Sequence, residues 1–194
     1  MEYMSERKDR KKKKKSFGYR LLKAIVDLGV FLLIVLALSY LVSAFVMQRI
    51  TVHNVSMLDT MEEGDVLLMD KITYRIREPE RYEIICFNSE HEREGLIKRV
   101  IGLPGETVQI TEGMIFINGN QIKDVSGTEK IEDPGRAAQE IHLAEDEYFV
   151  IGDNRPKSID SRSEEIGNVK KADIIGRATL RIYPFNRIGV LKKK

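Results

Sequence analysis

Residues 107–123 read TVQITEGMIFINGNQIK. Two runs of alternating apolar residues, Thr107 to Thr111 and Met114 to Ile117, flank Glu112-Gly113. Asn118-Gly119 supplies a second tight turn before Gln121-Ile122-Lys123. Strand-like runs separated by a two-residue turn of this chemistry are a strong short-range signal for antiparallel hairpins. Working outward, Val66 to Met69, Tyr82 to Phe87, Leu96 to Ile101, Glu147 to Ile151 and Ile175 to Ile182 also read as strands, with Gly and Pro at the junctions. Only Asp133 to Glu145 has weak helical character, and the polar segment Lys123 to Gly135 reads as an exposed loop. There are no internal repeats. The pattern predicts a mainly β body of one or two antiparallel sheets.

The chain has 194 residues and a net charge of +2. That charge is unevenly placed. Residues 1–47 carry ten Lys/Arg against four acids, and the remainder carries 22 against 26. A slightly acidic body argues against a nucleic-acid partner. The single cysteine, Cys86, excludes an intrachain disulfide. The three histidines, His53, His91 and His142, have no metal-ligand spacing, so no metal and no cofactor is expected.

The basic excess sits in Arg7 to Lys15, RKDRKKKKK, a block expected to be disordered and solvated. Leu28 to Met47 then runs about 20 residues without a charge, enough at about 1.5 Å per residue to cross a hydrocarbon core of about 30 Å. We divide the chain into a basic tail at 1–23, a transmembrane helix at 24–47 and a β-rich body at 48–194. Asp27 falls at the edge of the span, where a carboxylate costs less than at the bilayer centre. By the positive-inside rule the N-terminus is cytoplasmic and the body extracytoplasmic, on a single-pass protein of the cell membrane. Val42-Ser43-Ala44 also fits a signal-peptide cleavage site, but the apolar run is longer than a signal peptide needs, which favours a retained anchor.

Ser56 follows the span closely. Nine residue steps from Met47 reach at most about 30 Å. Met57, Leu58 and Met61 make the segment unusually apolar, a composition suited to dipping into the lipid interface. A serine needs a base to become a nucleophile. His53 is near only in sequence, His91 lies in a charged run, and His142 follows a polar stretch. Lys98 is the better candidate. In the strand Leu96 to Ile101 it shares a face with Leu96 and Val100. Burial there disfavours the ammonium and frees the amine to take a proton, as in Ser-Lys variants of serine hydrolases. The same pattern also fits a lysine snorkelling from a sheet edge. Residues 152–162, GDNRPKSIDSR, form a polar loop in which Ser158 and Ser161 can meet an amine and Asp160 with Arg162 can brace the turn.

Together these stretches resemble the bacterial type I signal peptidases (peptidase family S26), membrane-bound serine peptidases that remove signal peptides from exported proteins. The nucleophile motif S-M-x-P-T is matched at 56–60. The lysine motif K-R-x-x-G-x-P-G-D is matched at 98–106, and G-D-N-R-x-N-S-x-D-S-R at 152–162. The short span from Lys98 to Gly152 is similar to the small Gram-positive form. Departures are Asp59 for proline, Glu106 for aspartate, Lys157 for asparagine, and Asn54 where Ser or Gly is usual. The resemblance implies a signal-peptidase/LexA-like antiparallel β fold, Ser56 as nucleophile and Lys98 as general base. It further implies the Ser56 backbone N–H as oxyanion donor, Ser158 orienting the Lys98 amine, and Asp160 with Arg162 holding that loop. From its location we add the Asn54 side-chain amide as a second oxyanion donor. The implied partners are the bilayer and preproteins carrying signal peptides, bound as extended strands and cut after small residues of the Ala-X-Ala type. Two other readings stay open: a catalytically silent, membrane-anchored β domain with a binding role, and a cysteine transpeptidase using Cys86 and His91.

Overall fold

A computed structural model describes residues 2–58, 60–89, 92–124 and 130–191. The chain forms two compact units, Met1–Ala44 and Phe45–Lys194. The first is helix α1 (Glu2–Phe45). Its segment Gly18–Ser43 is long and apolar enough to cross a membrane. At about 1.5 Å per residue its 26 residues extend about 39 Å. The helix continues through the basic block, where disorder was the expectation, because Lys and Arg are good helix formers and an existing helix extends cheaply. It also stops earlier than residue 47. The carbonyl of Val46 accepts from Lys71 N, and Met47 opens the first strand.

Among the described residues of the second unit are twelve strands. They are β1 (Met47–Thr51), β2 (Val66–Asp70), β3 (Ile84–Ser89), β4 (Glu92–Gly102), β5 (Thr107–Thr111) and β6 (Met114–Ile117). Then come β7 (Asn120–Gln121), β8 (Ile141–His142), β9 (Glu147–Ile151), β10 (Val169–Lys170), β11 (Ile174–Tyr183) and β12 (Gly189–Val190). One sheet has the order β1-β2-β11-β3-β4-β9-β10, with β12 beside β11, and the other has β7-β6-β5-β8. Every pairing is antiparallel. Both predicted two-residue turns form. Thr111 pairs with Met114 and Ile117 with Asn120. Both central residues of each turn have positive φ, 53° and 78° at Glu112-Gly113 and 50° and 76° at Asn118-Gly119, as a type I′ turn requires.

Two expectations shift. Tyr82 has φ 70°, which keeps it out of β3 and aims its carbonyl at Arg99 Nη1, 2.8 Å away. The helical reading of Asp133 to Glu145 shrinks to one 3-10 turn, Gly135–Ala138, and the short strand β8. Arg136 N donates to the Arg162 carbonyl there, and β8 pairs with β5, so long-range partners override a weak local preference.

The apolar side chains gather in three clusters. One joins β1, β2, β3 and β4 around Leu67, Met69, Cys86 and Ile97 and includes Met57 and Met61. A second, around Ile85, Val100, Tyr148 and Val150, belongs to β3, β4 and β9. The third lies mainly on the four-stranded sheet around Val108, Ile110 and Ile115 and reaches Ile101, Phe149 and Ile151 of the larger one. Met57 and Met61 are thus core residues, 1% and 0% exposed. The apolar segment does not offer them to a lipid interface, because burying each stabilises the fold by about 2 kcal/mol. Leu58 alone of the three is exposed.

Candidate active site

Two methionines fix the backbone at Ser56. Met57 and Met61 plug the segment into the core, and the carbonyl of Met57 accepts from Thr60 N at 2.9 Å and Met61 N at 2.8 Å. Lys98 arrives on β4, whose pleat places Leu96, Lys98 and Val100 on one face. Lys98 is 1% exposed and Ser56 4%. Lys98 Nζ lies 2.6 Å from Ser56 Oγ and donates to it. Ser56 Oγ in turn donates to Asn54 Oδ1 at 2.8 Å, and Ser56 N points at the same oxygen at 3.4 Å. Asn54 therefore presents its oxygen to the serine, contrary to the amide-donor role expected of it. A hydroxyl that accepts a hydrogen bond from Lys98 must direct its own O–H to another acceptor, and Asn54 Oδ1 is within reach.

The loop after β9 grips this serine by its backbone. Asn154 N donates to the Ser56 carbonyl at 2.9 Å and Asn154 Nδ2 to the Val55 carbonyl at 2.9 Å. Gly152 is required by close approach. A Cβ there would fall 2.1 Å from Ser158 Oγ and 2.5 Å from the Ser56 carbonyl oxygen. Asp160 and Arg162 pair through two bonds, Nε to Oδ1 at 2.8 Å and Nη2 to Oδ2 at 2.9 Å. Asp160 Oδ2 accepts from Gly152 N, and Arg162 also donates to the carbonyls of Arg155, Ser158 and Asp133. Ser158 departs from expectation. Its Oγ is buried without a hydrogen-bond partner, so it does not hold the Lys98 amine, which is turned to Ser56. Ser161 Oγ accepts from Val150 N instead.

A buried brace escaped the sequence reading. Arg99 donates to Asp153 through Nε at 2.8 Å and Nη2 at 2.6 Å, with both side chains 0% exposed. Thr60 Oγ1 donates to Asp153 Oδ2 at 2.5 Å and accepts from Arg99 Nη2 at 3.3 Å. One pair thereby ties the serine segment, the lysine strand and the polar loop together. The signal was present, since the three residues fall one in each motif, but nothing in local sequence says that they meet. A second fastening joins Asp65, fully buried, to Arg181 at 2.8 Å and Arg187 at 2.7 Å.

The remaining candidates lie apart from this chemistry. Burial pushes the Cys86 thiol up to about 12, so it is no nucleophile. His91 and Asp59 fall outside the described residues. His53 is exposed, and His142 bonds Thr107 in the four-stranded sheet. Glu106, where the resembled motif has aspartate, is held on both carboxylate oxygens. Its carboxylate accepts from Leu103 N at 2.7 Å and from Arg81 at 2.5 Å. Among the described residues no group of three His, Cys, Asp or Glu side chains is arranged to hold a metal. Ser56 and Lys98 open on a cavity of about 150 Å³ whose other walls include Asn54, Leu96, Lys157 and Ile159.

Comparison with known proteins identifies the family. A family model described as "Signal peptidase, peptidase S26" matches residues 25–183. A signal peptidase I of Leptolyngbya laminosa is 37% identical over 88% of this chain and 84% of its own. A signal peptidase I of Bacillus licheniformis is 31% identical over 95% of this chain and 98% of its own. A crystal structure of a signal peptidase I from Enterococcus faecalis V583 is 36% identical, with a TM-score of 0.44, over 54% of this chain and 99% of that one. With serine and lysine in contact and a family match that spans most of its length, the chain belongs to the signal peptidase family, peptidase S26.

Proposed function

We propose that Ser56 and Lys98 are the catalytic pair of a membrane-anchored endopeptidase that cuts signal peptides from preproteins after small residues. The 2.6 Å contact between two buried side chains carries this reading. With Lys98 charged, the amine donates to Ser56 Oγ and the hydroxyl donates its hydrogen bond to Asn54 Oδ1. With Lys98 neutral, the hydroxyl turns to the amine, which takes its proton as Ser56 Oγ attacks the scissile carbonyl. The protonated amine then supplies the leaving nitrogen. Burial at 1% exposure opposes the ammonium and so favours the reactive form. Ser56 N is the oxyanion donor. Its long 3.4 Å contact with Asn54 leaves it available to a substrate oxygen.

Substrate enters as an extended strand. β9 meets β4 only from Arg99 to Gly102. Ahead of that pairing, a gap of about 20 Å³ separates Val52 to Asn54 from Gly95 and Ile97. A strand laid beside this gap, along the edge of β4 that β9 leaves open, gains main-chain hydrogen bonds, and shallow gaps select small side chains on either side of it.

Purified full-length protein should process a preprotein, and Ser56→Ala or Lys98→Met should lower the rate at least about a thousand-fold. The wild-type rate should climb with pH through the lysine titration, since only the neutral amine accepts a proton. Full activity of Lys98→Met would exclude the pair, and a wild type that never cuts would favour a silent binding domain. The basic tail ahead of the apolar helix supports an orientation with the N-terminus in the cytoplasm and the body outside. Protease added to intact spheroplasts should digest the body, and a protected body would reverse the orientation.

A further inference from the structure

A second, larger cavity adjoins the serine-lysine cavity and has no part in the mechanism above. It measures about 440 Å³, within the range of about 300–1,000 Å³ in which binding sites fall. Ile159 and Glu165 line both cavities, so the two are neighbours across a common wall. We propose that this larger cavity receives the first residues of the polypeptide downstream of the cut, and that it favours a basic or neutral residue there over an acidic one. The proposal rests on the serine-lysine reading.

Size assigns the sides. The residues before the cut are small, and the space of about 150 Å³ beside Asn54, Ser56 and Lys98 suits them. A cavity of about 440 Å³ does not discriminate among small side chains. It suits the variable, larger side chains that follow the cut, and a strand that crosses Ser56 leaves the small cavity over Ile159 and Glu165.

Charge assigns the preference. Arg155 and Arg162 line the cavity, but their guanidiniums are already neutralised, by Asp124 and by Asp160. The other charged groups on its outer wall are Lys130 against Glu132 and Asp133, an excess of one negative charge among the described residues there. Glu132 and Lys130 are exposed, so changing either alters the field in the cavity without disturbing the core.

The test uses full-length protein in detergent and three preproteins that differ only at the second and third residues after the cut, carrying Ala, Lys or Glu there. Wild type should prefer Lys over Glu in kcat/KM by about three-fold at low salt, the scale of one or two exposed charge contacts. The preference should fade in about 0.5 M salt. Glu132→Lys should erase or invert it, and Lys130→Glu should enlarge it, both through KM more than kcat. If the Ala preprotein is cut but Lys and Glu are processed equally, the assignment is wrong. It is equally wrong if the preference survives Glu132→Lys and Lys130→Glu unchanged, or follows the charges only when they are moved ahead of the cut. If wild type cuts none of the three, the serine-lysine reading fails and takes this assignment with it.

Discussion

The two sheets of the body solve different problems. The four-stranded sheet β7-β6-β5-β8 joins three of its strands through two-residue turns and fills its core with Val108, Ile110, Ile115 and Ile117. The larger sheet pairs strands far apart in the chain, β2 with β11 and β4 with β9. It buries Lys98, Arg99, Asp153 and Asp160 beside apolar clusters. Local pairing builds structure at little entropic cost, whereas long-range pairing closes large loops. Buried charge is tolerable only where those loops deliver its partner. The difference teaches that in this molecule the costly interactions and the chemistry occupy the same sheet.

Breaking the larger sheet's brace should have the largest effect. Asp153→Ala leaves Arg99 charged, buried and without its main partner, and should destabilise the body by about 3–5 kcal/mol. Urea unfolding of the isolated variant and wild type measures it, and a loss below about 1 kcal/mol would mean that water or Thr60 replaces the carboxylate. Next is Gly152→Ala. The new methyl meets Ser158 Oγ and the Ser56 carbonyl, so the loop must retreat from the serine. Displacement of about 1 Å at a catalytic group costs about a hundred-fold in rate, read as preprotein kcat with a smaller change in stability. The smallest effect belongs to the other sheet. Gly119→Ala meets open space but keeps φ at 76°. It should cost about 1 kcal/mol of stability through backbone strain alone and leave kcat untouched. A drop in kcat there would show that the two sheets are coupled and that the contrast drawn between them is too sharp.

The same contrast marks what was legible in the residues alone. Glu112-Gly113 and Asn118-Gly119 announce their turns because a positive φ at both positions restricts which residues can occupy them. Ser56 and Lys98 were legible through motif resemblance together with alternation along β4. Met57 and Met61 misled, because an apolar pair reads alike whether its face meets lipid or core. Asn54 misled as well, since sequence names an amide but not which end of it faces the serine. Ser158 sits in its motif yet makes no bond through its hydroxyl.

By itself the sequence determined an apolar span with a basic flank, a β-rich body, and the pairing of a serine with a lysine as its chemistry. The first two follow from period, composition and turn residues, each a property of neighbouring positions, and the third from the resemblance carried by three motifs. Tertiary structure alone decided that Arg99, Asp153 and Thr60 form one brace, that Asn154 and Gly152 hold the Ser56 backbone, and that a larger cavity adjoins the serine-lysine cavity. Those facts depend on strands 40 to 100 residues apart arriving within about 3 Å, the reach of a hydrogen bond, and no local pattern encodes that distance.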